Sequence, residues 1–373
     1  MKQAIILILS LTLLLASCSE PYDAKVNSNE MILAVNGMIT NENATYHIRL
    51  SYAAPYDSTY TGTPIDNASV NVTDDHNNNY YFTEGASGDY VSDSLQFTAQ
   101  PGRTYTLHIN TPGGTEYESY GQRLFPEVQP DRVYSEFDKK EVIDKSSGLY
   151  VLSQGVDILV DIANHTDTLP RFRFTSNLLT QYFYQVCPPF QSCISYYCWQ
   201  TDNANADLNL TGGEYSISSA SINKHNVCFI DDDLMYYGII YIARNQGTGT
   251  PYVAVATQAY ESNYVTARIL YMQQYTLNNE TYEYYKNMNL QLQSEGKLFD
   301  PIAAQLVGNI KCAADPNIKV FGFFEASSVS RTAYRIDFRN LTDNQPTITE
   351  TGYVLPPESN GCEINNPPAI WVY

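Results

Sequence analysis

Positive charge is scarce in this chain. Of its 373 residues, 21 are Lys or Arg against 40 Asp or Glu, which leaves a formal charge of −19. A field of that sign repels phosphate backbones and argues against a nucleic-acid partner. Tryptophan is nearly absent, with 2 residues, and the 5 histidines (His47, His76, His108, His165, His225) are scattered along the chain. Catalytic signatures are missing as well: there is no Gly-x-Ser-x-Gly elbow, no His-Glu-x-x-His and no phosphate-binding glycine loop. Carboxylates are plentiful, but nothing in their spacing selects a glycosidase pair. The expectation is a protein that is not an enzyme and holds no cofactor or metal. No internal repeat and no low-complexity tract stands out.

A long apolar run is missing from all but the first residues. Lys2 is followed by Ala4 to Leu15, apolar except for Ser10 and Thr12, and then by Leu15-Ala16-Ser17-Cys18. A charged start, a short apolar stretch and small residues before a cut site describe a signal peptide over 1–17. The stretch is shorter than the roughly 20 residues that a spanning helix needs. Leu-Ala-Ser-Cys resembles the lipobox of bacterial lipoproteins, which implies that Cys18 is acylated and becomes the new amino terminus. Several acyl chains make a stable anchor. Ser19-Glu20-Pro21-Tyr22-Asp23 looks like the acidic export signal that sends some Bacteroidota lipoproteins to the outer face of the outer membrane. The expected place is thus the outer membrane, lipid-anchored and facing the exterior, with the periplasmic face as the alternative.

Tyrosine is what the chain has in excess, 32 residues against 14 Phe. Its ring suits half-buried strands while its hydroxyl stays wet. The pattern from Met31 onward agrees. Tyr46, Ile48 and Leu50 alternate with polar neighbours, as do Val70 and Val72, then Tyr105, Leu107 and Ile109. Turn clusters such as 74–79, 84–88, 100–102 and 112–114 separate them, so 31–127 reads as an immunoglobulin-like β-sandwich behind a tether at 18–30. Phe125 to Pro130 reads as a linker, since its two prolines disfavour either regular structure. Residues 128–373 read as a larger β-rich domain. Alternation at Val156–Ile162 and Phe172–Phe174 supports strands, with longer ones near 252–259, 264–274, 319–327 and 332–338. One helix is expected near 279–295: Tyr282, Tyr285, Met288 and Leu292 fall on one stripe, Asn278 or Asn279 caps the start, and Gly296 ends it.

Besides Cys18, six cysteines remain: Cys187, Cys193, Cys198, Cys228, Cys312 and Cys362. An even number in an exported chain reads as disulfides, with at least one local bridge in a disulfide-rich insertion at 187–228. Their gaps fit no Cys-x-x-Cys zinc knuckle. That insertion would either display Tyr196, Tyr197 and Trp199 as rigid ligand contacts or pack them beneath itself. Oxygen side chains at 203, 205, 207, 209 and 214 follow a calcium-loop spacing, but Leu208 replaces the turn glycine, so an Asx-rich loop is the simpler reading. The same holds for Asp231-Asp232-Asp233. Asp57-Ser58-Thr59, Asp93-Ser94-Leu95 and Asp167-Thr168-Leu169 resemble O-glycosylation acceptors of Bacteroidota.

A wider resemblance rests on ordered stretches of the chain. Leu33-Ala34-Val35-Asn36-Gly37-Met38-Ile39-Thr40, Ala54-Pro55-Tyr56 and Gly102-Arg103-Thr104-Tyr105-Thr106-Leu107 to Gly113-Gly114 come first. Tyr282, Gly296 to Pro301, Gly308-Asn309-Ile310 and Val320 to Ser330 follow. Over roughly 31–340 the chain resembles a family of Bacteroidota lipoproteins known as domain of unknown function 4249. The resemblance implies a neighbouring TonB-dependent receptor as partner and supplies no catalytic residues. Together with the lipobox, the early acidic residues, the tandem β-domains and the absent catalytic motifs, it leads to the expectation of a surface lipoprotein that captures or gates an unknown small-molecule, peptide or glycan ligand for that transporter. An adhesive module and a surface hydrolase are the alternatives. Mass spectrometry of protein from the native host should find an acylated Cys18 as the first residue; a free thiol there, or a retained leader, refutes the anchor.

Overall fold

The computed structural model describes residues 31–53, 62–93, 97–143, 148–163, 171–186, 194–204, 208–212, 221–231, 242–244, 251–253, 265–293, 306–336 and 363–364. The leader, Cys18 and the tether lie outside these residues. Within them the protein is mainly β, with one helix.

Residues 33–123 supply β1 (Leu33–Ile39), β2 (His47–Tyr52), β3 (Thr63–Pro64), β4 (Ser69–Asp74), β5 (Asn79–Ala86), β6 (Asp89–Ser92), β7 (Thr104–Asn110), β8 (Glu116–Ser119) and β9 (Gln122–Arg123). Two strands from far along the chain, β19 (Ile310–Cys312) and β20 (Val320–Ala326), join them in one 11-stranded sheet. Its order is β19-β8-β7-β4-β5-β6-β2-β1-β20, with β3 on β2 and β9 on β7. Alternation explains the inner face, because successive side chains of a strand point to opposite sides. Leu33, Val35 and Ile39 of β1, Ile48 and Leu50 of β2, Val70 and Val72 of β4, and Tyr105, Leu107 and Ile109 of β7 are all buried in one core.

β19 and β20 stand at opposite ends of this order, yet they meet. The Asn309 side chain accepts from the Phe324 N–H at 2.9 Å and donates to the Phe324 carbonyl at 2.7 Å. The sheet therefore curls until its ends touch, and Ile310, Cys312, Phe324 and Ala326 enter the same core as β1 to β8. Residues 31–127 alone leave that core open on one side. β20 runs parallel to β1, with Leu33 opposite Val320 and Ile39 opposite Ala326. A parallel partner cannot come from a tight hairpin, so it has to return from a distance.

Tyrosine hydroxyls close the loops of this sheet. Tyr90 donates to the Ile65 carbonyl and accepts from the Ala68 N–H, both at 2.8 Å. Tyr105 accepts from the Gln100 N–H at 2.6 Å. In the 74–79 turn the buried Asp74 carboxylate accepts from the N–H groups of His76 and Asn78 and pairs with Arg103 at 2.8 Å. Burial alone would raise its pKa, but bonds from Asn78, His76 and Tyr80 outweigh this and hold it at about 2.

The second system has two sheets. One is β10 (Arg132–Ile143), β11 (Tyr150–Ile162) and β15 (Ile222–Asp231). The other has the order β21-β18-β12-β13-β22, with β14 on β12. Its strands are β12 (Arg171–Val186), β13 (Ile194–Asn203), β14 (Asn209–Gly212), β18 (Val265–Thr276), β21 (Ser328–Ile336) and β22 (Glu363–Ile364). Val156, Ile158 and Val160 of the first sheet bury against Phe172, Phe174, Leu270 and Met272 of the second. β16 (Ile242–Arg244) and β17 (Pro251–Val253) form a separate pair. The helix α1 (Asn279–Leu292) starts at Asn278, whose side chain accepts from the Thr281 N–H. The expected stripe holds only at its start: Tyr282 is buried and Tyr285 reaches a buried partner, while Leu292 is exposed. Gly296 lies outside the described residues.

Gly322 tests the closure of the first sheet. It has φ +89, and a Cβ there would lie 1.7 Å from the Val35 carbonyl oxygen. Gly102 shares the unusual backbone, φ +86, but faces open space. Gly322→Ala should cost about 3 kcal/mol or more, against about 1 kcal/mol for Gly102→Ala, in denaturant unfolding.

Candidate functional site

The chain passes between the two systems at 124–131, again between β18 and β19, and last from β20 to β21, where the link is shortest. β20 belongs to the first and β21 to the second, with Ser327 alone between them; its N–H bonds the Ile39 carbonyl at 3.1 Å. The stretch expected to be a linker is pinned alongside. Ser328 donates to the Phe125 carbonyl, and Gln274 donates to the Val128 carbonyl at 2.8 Å. Asn41 donates to Glu127 and accepts from the Val329 N–H. Helix α1 docks through its first turn, where Asn278 and Thr281 donate to the buried Gln122 of β9 and Gln122 donates to Glu280.

Glu325, 2% exposed, sits at the centre of this joint. Arg173 of β12 donates to both of its oxygens, at 3.2 and 3.4 Å, and the Tyr285 hydroxyl of α1 donates at 2.5 Å. The guanidinium lies over the rings of Tyr275, at 4.1 Å, and Tyr285, at 4.7 Å. Burial works against its charge, but Glu325 and the two tyrosines outweigh that and push its pKa up. The Tyr285 hydroxyl is held protonated, first by burial and then by the Glu325 charge. An ion pair this dry, with a hydrogen-bonding tyrosine and two flanking rings, is a structural joint. It offers no nucleophile–base pair.

The outer face of the second sheet carries the exposed site. Residues opposite each other on the ladder share a face, which aligns Asn203, Asn177, Tyr271 and Ala333 in one row across four strands. Asn203, Asn177 and Ala333 are exposed and Tyr271 half-buried. On one side Thr175 and Gln273 are half-buried, bonded to each other at 3.0 Å, and Arg331 is exposed. Beyond them Arg173 and Tyr275 are buried beside α1. On the other side Leu179 and Ile269 are buried again, flanked by exposed Thr201 and Arg335. The exposed row is thus a polar trough between two covered strips of the sheet.

Of the aromatics expected to contact a ligand, Tyr196, Tyr197 and Trp199 all lie on β13, within a sheet rather than on a projecting loop. Trp199 is 6% exposed, so of its two expected alternatives it takes the packed one. The side chains of Tyr196 and Tyr197 lie outside the description. Two cysteines also depart from expectation. Cys228 and Cys312 are buried free thiols, and they belong to different cores. Burial pushes the Cys228 thiol up to about 12, so it stays protonated. Cys198 has its backbone on β13; Cys187, Cys193 and Cys362 lie outside the described residues.

The described histidines do not converge. His47 pairs with Asp89, His108 with Thr73, and His225 with Asn209. Burial lowers the His225 pKa to about 4, and its ring stacks on Phe174. Asn209, from the calcium-like spacing, instead donates to the carbonyls of Asn226 and Val227. No group of three or more His, Cys, Asp or Glu among the described residues could hold a metal ion. Of the three glycosylation-like triplets only Asp93 is described. No helix among these residues is long and apolar enough to cross a membrane.

One surface feature had no warning in the sequence. Among the described residues β15 covers β11 only from Gly155 onward, and Tyr150–Leu152 with their partners on β10 stand out as a two-stranded ribbon, Ser153 already being buried. Tyr150 is 72% exposed and Leu152 69%, and Ile143, Leu149 and Val151 are exposed too. Ile143 opposes Tyr150 on one face and Val142 opposes Val151 on the other, so the tip is apolar on both faces, with Glu141 opposite Leu152 behind it. A ribbon of this kind gains little from standing in water and marks a contact surface.

These features define a class: a β-rich protein of two sheet systems locked together by a buried joint. The family model described as domain of unknown function (DUF4249) matches residues 19–333, and the chain belongs to that family. No curated protein matches it. Replacing Glu325 with Ala should destabilise the protein by about 3–5 kcal/mol, since it strands Arg173 in a dry site. Glu325→Gln, which keeps the hydrogen bonds to one side, should cost less. Thermal unfolding of both variants ranks the charge against the bonds.

Proposed function

We propose that this protein is a lipid-anchored outer-membrane binding protein that captures or gates a ligand for a TonB-dependent transporter, facing the cell exterior. Cys18 is the anchor. In this reading the first system is immunoglobulin-like in character, and Cys187, Cys193, Cys198 and Cys362 supply disulfides that stiffen the insertion.

The observation that carries the reading is the pairing of a polar trough with an apolar ribbon on one rigidly joined body. A trough of amides, hydroxyls and a tyrosine suits recognition of a ligand, and the ribbon suits contact with a partner protein. Family membership and the lipobox resemblance support the place and the partner. An adhesive surface module is the second reading, favoured by the same exposed ribbon if no transporter is engaged.

The test is recovery of complexes from native membranes. Tagged wild-type protein should bring down a TonB-dependent receptor. Tyr150→Ser with Leu152→Ser should recover at least about tenfold less, with an unchanged melting temperature, because the ribbon loses its contact area. Wild-type protein that never brings down a receptor sinks the transporter reading.

A further inference from the structure

We propose that the trough on the second sheet binds an anionic oligosaccharide, with Tyr271 as the stacking surface and Arg335 as the carboxylate contact. This rests on the reading of the protein as a ligand-capture module and names the chemistry of what it captures.

The dimensions come from the sheet itself. Four adjacent strands span about 14 Å, and successive rows on one face lie about 7 Å apart. A strip this long and one row wide accepts a few sugar units laid across the strands. Its floor, Asn203, Asn177, Tyr271 and Ala333, offers two side-chain amides around one aromatic ring. Sugar hydroxyls both donate and accept, and a side-chain amide does the same. The apolar face of a sugar ring packs on an aromatic face, and Ala333 leaves room beside Tyr271 for it. Thr175, Gln273 and Thr201 add polar groups along the edges.

Charge selects the anionic class. The row and its two neighbours hold Arg331 and Arg335 and no Asp or Glu, although the whole chain is at −19. Glu42 occupies Arg331, with its nearest contacts to Nε and Nη2. Arg335 is exposed and makes no ion pair among the described residues. It therefore offers a planar guanidinium to a carboxylate at the β21 end of the trough. An extended peptide fits less well. The trough crosses the middle of a sheet whose backbone groups are already paired, so no strand can be added to it.

Isothermal titration of the full lipoprotein in detergent with short oligogalacturonides, and with neutral galacto-oligosaccharides of equal length, tests this. Saturable binding that prefers the uronate is expected. Arg335→Ala should weaken the uronate by about tenfold or more and erase the preference, because a charge-assisted hydrogen bond is lost. Tyr271→Ala should remove binding of both sugars, and Arg335→Ala should leave the melting temperature unchanged. No saturable binding, equal binding by all three proteins, or binding of an acidic peptide in place of the sugars overturns the proposal. Receptor recovery by the same Tyr271→Ala and Arg335→Ala proteins separates the two claims. A receptor recovered without sugar binding by wild type refutes this inference alone, whereas sugar binding without any receptor refutes the transporter reading alone.

Discussion

The Arg173–Glu325 ion pair is the contact on which the arrangement of the two sheet systems turns. Glu325 lies on β20 because its neighbours Phe324 and Ala326 belong to the core of the first system. That register leaves the carboxylate buried on the opposite side of the strand, where an unpaired charge would be very costly. Arg173 answers it from β12, and Tyr285 answers it from α1. The second system is thereby held in one place. Ser327 allows no slack, since the next residue already belongs to β21.

This joint explains where the exposed chemistry falls. The end of the second sheet nearest α1 is taken up by Arg173, Tyr275 and Tyr285. The trough begins one row further out, where helix and ion pair no longer cover the sheet. The ribbon projects from the facing sheet, beyond the end of β15. Polar trough and apolar ribbon are thus carried by different sheets of the same system. The first system serves as their base, with its buried Asp74 and tyrosine hydroxyls committed to holding turns.

Much of the fold was legible residue by residue. Alternation at Tyr46–Leu50, Val70–Val72 and Tyr105–Ile109 predicted buried strand positions, and all of those residues are buried. The start of α1 followed from Asn278 and the tyrosines after it. The return of β19 and β20 was not legible. A strand at 320–326 has the same alternation whichever sheet it joins, and nothing local names β1 as its partner. The free thiols of Cys228 and Cys312 escaped notice for a related reason: a count of cysteines does not say which core each one enters. Trp199 reads equally well as displayed or buried, because an aromatic on a strand suits both faces.

The sequence by itself determined the excess of negative charge and the β character of the body. Each of these is a local property, set by composition or by a period of two. Tertiary structure alone decided that residues 310–326 close the first sheet, that Arg173 meets Glu325, and that Asn177, Tyr271 and Arg335 share one exposed face. Those facts depend on contacts between strands that lie far apart in the sequence. Pairing is chosen by the burial of whole faces and by the neutralisation of buried charge, and no short stretch of chain carries that information.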